Sequence, residues 1–392
     1  MTQVIHQQFA VSFSFPVVFT RGVFQAHNPA LRDVLREAVQ AHPHPRLLLA
    51  VEQAVAEAFP GLANALAAYG QAHLPALEVV DPPLVMRGGE TVKNDAAAVG
   101  RIIERLAGAG IDRHSFVMAV GGGAWLDAVG YAASLVHRGV RLIRLPTTVL
   151  AQNDSGVGVK TAVNHAAGKN FIGTFAPPFA VINDADFLAT LPDEHWRGGV
   201  AEAFKVAMIK DADFFAWLCA QAAALAQRDE AAMGELVRRC AALHLEHIRS
   251  SGDPFEQGAA RPLDYGHWSA HQLEAMSGYA VSHGHAVAIG IMLDALYAAR
   301  AGWLESAAAD RLYAGLTQAG FVLWHEALEI RDAGGARRIL EGLERFREHL
   351  GGDLCVTFPQ GVGRAREEHA IDPVRMESAC VALQARAAAV AR

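Results

Sequence analysis

Residues 116–145, FVMAVGGGAWLDAVGYAASLVHRGVRLIRL, decide the architecture of this chain. Phe116 to Val120 is a continuous apolar run that ends in Gly121-Gly122-Gly123, the pattern of a strand buried on both faces. A helix follows from about Trp125 to His137, and Val140 to Leu145 reads as the next strand. Strand, helix and strand in that order imply a parallel sheet with covering helices. The glycine turn lies where backbone N–H groups and a helix N-terminus can receive phosphate. It is not G-x-G-x-x-G, and tight geometry alone also selects glycine at such a turn.

Toward the N-terminus, Phe9 to Phe19 reads as extended, and Asn28 as the cap of a helix through Ala41. Leu47 to Val51 is a short buried-type strand ending in Glu52, whose carboxylate is placed to accept ribose hydroxyls or simply to meet solvent. Ala54 to Tyr69 reads as helix and Leu77 to Val80 as strand. Gly88-Gly89-Glu90 forms a loop before a helix capped by Asn94 that runs to about Ala109. Asp127, inside the helix after the glycine turn, suggests a ligand contact. Pro146 to Pro178 reads as a long loop carrying Thr147, Thr148, Asn153, Asp154, Lys160, Asn164, Lys169 and Asn170 among glycines. A span of that length without structure is usually functional, and its lysines and amides suit a phosphorylated ligand. A solvated surface loop is the plain alternative.

Beyond Asp186 the apolar periodicity is helical, through Val200 to Met208, Asp213 to Gln227 and Ala231 to Arg249. Next comes Leu263 to Gly290, LDYGHWSAHQLEAMSGYAVSHGHAVAIG. His267 and His271 are one helical turn apart, and His283 and His285 open the next apolar helix. Three protein ligands with an open position make a catalytic site for a zinc-like ion. The chain has 18 histidines, however, and a helical pair is more often surface or core. Glu202 and Lys205 stand one turn apart as an ion pair; if His267 and His283 approach each other, Glu202 completes a two-histidine, one-carboxylate set. Two more helices, an extended patch at Asp353 to Phe358 and a last helix from Pro373 close the chain.

Length and composition agree with this division. At 392 residues two domains are expected, an α/β unit at 1–185 and a helical unit at 186–392. Hydrophobic residues make up 52% and charged residues 19%, enough apolar material for large cores. A net charge of −7 without a basic block argues against nucleic acid as a partner. Cys219, Cys240, Cys355 and Cys380 form no C-x-x-C pair, and no apolar run reaches the ~18 residues needed to span a bilayer. A cytoplasmic protein without a membrane partner is expected.

The ordered set GGE-x-x-K, GGG-x-x-x-D, PTT-x-x-A-Q-x-D, K-T-x-x-N, G-K-N, L-P, A-E-x-x-K, G-H-x-x-x-H and H-G, from about Gly88 to Gly290, resembles 3-dehydroquinate synthase and the related sugar-phosphate cyclases. The resemblance implies a Rossmann-like NAD-binding α/β domain followed by an all-α metal-binding domain. It implies Glu202, His267 and His283 as ligands of zinc or cobalt. Glu52, Glu90, Lys93, Gly122, Gly123, Asp127, Thr147 and Thr148 would line NAD, with Lys169 serving cofactor and substrate. Asp154, Lys160, Asn170, Lys205, His271 and Asp264 would face a phosphorylated sugar, with Lys205, His271, Asp154 and Lys160 taking part in the chemistry. Arg138 would reach across a homodimer. The implied reaction is a cyclisation with phosphate elimination in which NAD is regenerated.

Several positions depart from the pattern. Asp264 stands where the family usually has asparagine, and by register Glu246 and Ala260 replace two basic residues that grip a substrate carboxylate. Arg261 lies one residue off. His285 replaces a glutamate, and Arg347, Glu348 and His349 occupy the neighbourhood of a missing lysine pair. The departures resemble a divergent branch such as the dehydroquinate-synthase-like proteins of Ebo-type gene clusters. A substrate without a carboxylate is therefore expected, against three alternatives: a true 3-dehydroquinate synthase, a metal-dependent polyol dehydrogenase of the glycerol-dehydrogenase type, and a catalytically silent binding protein.

Overall fold

The computed structural model describes residues 2–166, 168–255, 262–349 and 352–390. Its organising element is a six-stranded sheet, all parallel. The strands are β1 (Val17–Thr20), β2 (Arg46–Glu52), β3 (Glu78–Met86), β4 (Phe116–Gly121), β5 (Arg141–Pro146) and β8 (Ala180–Asp184), in the order β1-β8-β5-β4-β2-β3. Strand β2 shows why the sequence pattern is continuous rather than alternating. Leu47, Leu49 and Val51 pack with Leu35, Leu66 and Met118 on one face, while Leu48 and Ala50 pack with Ile102, Val117 and Val129 on the other. Side chains alternate faces, but both faces are covered by helices, so every position must be apolar.

Five readings of the sequence are corrected here. Only Val17–Thr20 of the Phe9 to Phe19 stretch is strand, at the sheet edge beside β8. Ala54 to Tyr69 is two helices, Gln53–Ala58 and Leu62–His73, separated at Phe59-Pro60-Gly61 because proline breaks the amide ladder. The strand expected at Leu77 to Val80 runs on to Met86. Asn94 caps nothing: the helix Ala98–Gly108 is preceded by Asp95, whose carboxylate accepts the Ala97 N–H, while Asn94 Oδ1 accepts from Asn164 Nδ2 at 2.8 Å. Most consequentially, Pro146 to Pro178 is not a structureless loop. It contains a π-helical turn at Ala151–Ser155 and an antiparallel hairpin, β6 (Lys160–His165) with β7 (Gly168–Phe175). The β8 strand that follows was not read from the sequence.

From Asp193 onward the described residues form helices and their connections, with a two-stranded ladder, β9 (Val356–Pro359) with β10 (Ala365–Glu368). The helices Asp193–Lys210, Ala212–Ala226, Glu230–Ser250, His267–Met276, His283–Arg300, Ser306–Gln318 and Pro373–Val390 enclose a second core around Phe204, Phe214, Phe215, Met292 and Leu312. Among the described residues no helix is long and apolar enough to cross a membrane.

Candidate active site

The helix Asp193–Lys210 and the helix His283–Arg300 cross at a glycine pair. A Cβ on Gly284 would lie 2.4 Å from the Cα of Gly198, so position 284 has no room for a side chain. Gly198 stands one turn before Glu202, and Gly284 directly follows His283. The close approach therefore carries His283 to Glu202, with Nε2 3.5 Å from Oε1. His267, at the start of the helix His267–Met276, brings its Nε2 to 3.6 Å from the same oxygen. Its Nδ1 is 3.2 Å from the Tyr265 carbonyl, which assigns the proton to Nδ1 and leaves Nε2 facing Glu202.

Glu202 is 1% exposed, and neither of its oxygens accepts a well-formed hydrogen bond among the described residues. Burial opposes its ionisation, but Lys205, His267 and His283 outweigh burial and hold the carboxyl well below its usual range. Conversely, burial works against protonating His283, while Glu202 and Glu274 raise it to about 9. Groups that draw a proton to His283 draw a divalent cation for the same reason. The carboxylate oxygen lies 3.5 and 3.6 Å from the two imidazole nitrogens, close to the edge of a tetrahedron with ~2.0–2.1 Å metal–ligand bonds, and the three atoms lie within 4.8 Å of one another, so the donor set fits a zinc-like ion. His271 opens to the cleft beside them, its ring centroid 5.8 Å from that of His283. Desolvation, then the neighbouring His267 and His283, push its protonation well below the ordinary histidine range.

Two residues missed from the sequence complete this cluster. Glu274 Oε2 lies 3.3 Å from His283 Nδ1, and its other oxygen is 3.5 Å from Lys169 Nζ. A carboxylate behind a ligating histidine orients the ring and raises its basicity. Burial opposes ionisation of Glu274, but His283 and Lys169 bring it down to about 2. The signal was available: positions 267, 271 and 274 fall on one helical face. The second is Asp294, fully buried, which accepts the Gly266 N–H and the Trp268 Nε1–H, each at 3.0 Å, and so clamps both neighbours of His267.

Lys205 connects the cation set to the turn after β5. Its Nζ is 2.5 Å from Glu202 Oε2, and the charges of Glu202, Asp154 and Asp264 raise it despite burial. Asp154 in turn meets His244 on the helix Glu230–Ser250, Nδ1 to Oδ1 2.9 Å. Thus Glu202, His267, His283, His271, Lys205, Asp154 and Asp264 gather in one place. His285 does not join them; it packs on Phe321 with its Nδ1 toward Ser282. Glu246, expected to face substrate, instead sits at the solvent side of its helix paired with Arg249 at 2.8 Å, so the acid it was expected to bring into the cleft is absent. The helix turns His244 inward and Glu246 outward. Ala260 and Arg261 lie outside the described residues.

The glycine turn after β4 forms a cradle. A Cβ on Gly121 would meet Trp125 at 2.4 Å, and one on Gly123 would meet Ser155 Oγ at 2.6 Å, so backbone alone can line this surface at the N-terminus of the helix Gly123–Leu135. That arrangement fits a pyrophosphate such as NAD carries. Glu52 is bound into it, accepting Gly122 N–H at 2.7 Å and Gly89 N–H at 3.0 Å, so it ties two turns together. Thr147 N–H donates to the Gly121 carbonyl, and the Thr148 hydroxyl accepts from Ala151 N–H. Asp127 is paired with buried Lys93 at 2.6 Å, and Lys93 also meets the Asn170 side chain, so in this structure Asp127 stabilises Lys93. Glu90 is near Lys169, at 3.6 Å. Lys160 opens β6 as an exposed side chain, and Arg138, also exposed, follows the helix at φ +65°.

The N-terminal 3-dehydroquinate synthase model matches residues 83–198 and the C-terminal model matches 199–337. A 2-epi-5-epi-valiolone synthase from Streptomyces hygroscopicus subsp. jinggangensis 5008, solved with NAD+ and Zn2+ bound, is 28% identical. It superposes with a TM-score of 0.84 over 97% of this chain and 100% of that one. A 2-deoxy-scyllo-inosose synthase complexed with carbaglucose-6-phosphate, NAD+ and Co2+ shares the fold at 20% identity and a TM-score of 0.71, covering 94% and 96% of the two chains. A probable glycerol dehydrogenase from Sinorhizobium meliloti 1021 shares it more distantly, at 15% identity and a TM-score of 0.58, with 96% and 99% covered. The two matched models adjoin and together span well over half of the chain, which therefore belongs to the 3-dehydroquinate synthase family.

Proposed function

We propose that this protein is an NAD- and divalent-metal-dependent sugar-phosphate cyclase, closing a phosphorylated sugar into a carbocycle with loss of phosphate, and hence a carbon–oxygen lyase. The observation that carries the reading is the buried Glu202 carboxylate faced by His267, His283 and Lys205. Glu202, His267 and His283 would hold zinc or cobalt, and the Gly121–Gly123 cradle with Thr147 and Thr148 would hold NAD. When bound, these groups supply a Lewis acid and a hydride acceptor that is returned to its starting state. The chain's own residues do the remainder. His271, kept neutral at the cleft, is suited to accept a substrate proton, and Lys205 to donate one. Lys160, Lys169 and Asn170 on the hairpin are suited to the leaving phosphate, where charge-assisted hydrogen bonds are strongest.

Asp264, whose charge acts on Lys205, supports a substrate with hydroxyls, not a carboxylate, at that end. Two like charges ~4 Å apart repel by roughly 4 kcal/mol at an effective dielectric near 20. A ketose phosphate such as sedoheptulose 7-phosphate meets the requirement. In this proposal residues 1–185 carry the cofactor and 186–392 the metal, the protein works in the cytoplasm, and it forms a homodimer in which Arg138 reaches the partner's cleft. The test is phosphate release from sedoheptulose 7-phosphate and from the corresponding seven-carbon 2-keto acid phosphate, with NADH followed by absorbance. Phosphate release from the sugar that requires NAD without accumulating NADH is the expected result. Stoichiometric NADH would identify a dehydrogenase, and efficient turnover of the keto acid with inert sugars would identify a true 3-dehydroquinate synthase.

A further inference from the structure

His244 reaches Asp154 from the helix Glu230–Ser250, which packs against the turn Ala151–Ser155. Its Nδ1 lies 2.9 Å from Asp154 Oδ1, with the two side chains 16% and 25% exposed. Asp154 is held ionised against the effect of burial by Lys205 and His244, so the contact belongs to the same charged chain that reaches Glu202. An Nδ1–H donated to that carboxylate leaves Nε2 as a lone-pair acceptor. Nε2 makes no hydrogen bond among the described residues and lies beside Gly158, where an added Cβ would come to 3.4 Å from it, so a side chain at 158 would crowd this nitrogen. The backbone around Gly158 is set from beneath by buried Arg144, which donates to the carbonyls of Gly158 at 2.7 Å and Lys160 at 3.1 Å.

We infer that Asp154 and His244 form an acceptor dyad that takes a substrate hydroxyl at His244 Nε2 and thereby selects a polyol end over a carboxylate. The inference rests on the cyclase reading and adds to it a specificity-determining residue. A hydroxyl donates its hydrogen to Nε2; a carboxylate has no hydrogen to give and brings its charge toward Asp154 and Asp264. The two sides of this helix also differ in consequence. Glu246 spends its charge on Arg249 in solvent, whereas His244 is the side chain turned to Asp154.

The test compares the zinc- and NAD-loaded wild type with His244→Phe and His244→Lys, on sedoheptulose 7-phosphate and on the seven-carbon 2-keto acid phosphate. His244→Phe should lower kcat/KM for the sugar about tenfold, the equivalent of one hydrogen bond, with metal content and melting temperature kept. His244→Lys should move the sugar-to-keto-acid ratio of kcat/KM by tenfold or more toward the keto acid. A ratio within twofold of wild type in both variants overturns the dyad. Should the wild type convert neither compound, the cyclase reading has failed, and the dyad is judged on binding to the unmutated protein. Carbaglucose 6-phosphate should then shift the ring-nitrogen resonances of His244, and unmoved resonances overturn it.

Discussion

Asp294 offers the sharpest quantitative test of how the helical half supports its histidines. Its carboxyl is fully buried on the helix His283–Arg300, facing two N–H donors from Gly266 and Trp268. Burial pushes it up to about 8, against the opposing pull of the Trp268 and Gly266 hydrogen bonds. In the unfolded chain the same group titrates near about 3.9. The sign is therefore the reverse of that for a salt-bridged acid. The folded state keeps its proton while the unfolded state releases it, so stability is lost as pH rises from about 4 to about 8 and levels off above. The slope is about 1.4 kcal/mol per pH unit and the whole effect on the order of 5 kcal/mol. Asp294→Asn removes the titration and adds a pH-independent cost of ~1–3 kcal/mol, because the two donors meet different oxygens and the amide NH2 that replaces one of them cannot accept. The variant's melting temperature, relative to wild type, should therefore climb by roughly 3–6 °C per pH unit for a unit of this size. Scanning calorimetry of both proteins at pH 5, 6 and 7, in chelator to remove metal linkage, measures it. A difference that stays flat across those three values means Asp294 is already ionised at pH 5, and the burial argument fails.

Two further outcomes concern the cation set. His267→Ala removes one of three ligands and should leave only a small residue of bound zinc by elemental analysis; full retention would sink the assignment. Glu274→Gln keeps shape but loses the charge behind His283, so zinc affinity measured by chelator competition should fall ~10–100-fold, while an unchanged affinity would make Glu274 merely a partner of Lys169.

By itself, the sequence determined the two-part architecture and offered a candidate cation set, whose members the structure brings together. Residues 116–145 were legible because a doubly covered parallel strand admits only apolar side chains and must turn tightly into its helix. Glu202, His267 and His283 were legible as candidates through the ordered motifs A-E-x-x-K, G-H-x-x-x-H and H-G that resemble the family, whereas a histidine pair on a helix would by itself suit surface or core equally well. The polar hairpin from Lys160 to Phe175 was not: its register shifts between Val163 and His165, and its glycines and lysines read locally as loop. Nor could spacing along one helix decide which side chain enters the cleft. His244 and Glu246 lie two residues apart, about 200° around the helix, and only the packing of Glu230–Ser250 on the Ala151–Ser155 turn sends one to Asp154 and the other to solvent. His283 and His285 divide for the same reason. The glycine contact between Gly284 and Gly198 sets the rotation of that helix, taking His283 to Glu202 and His285 to Phe321.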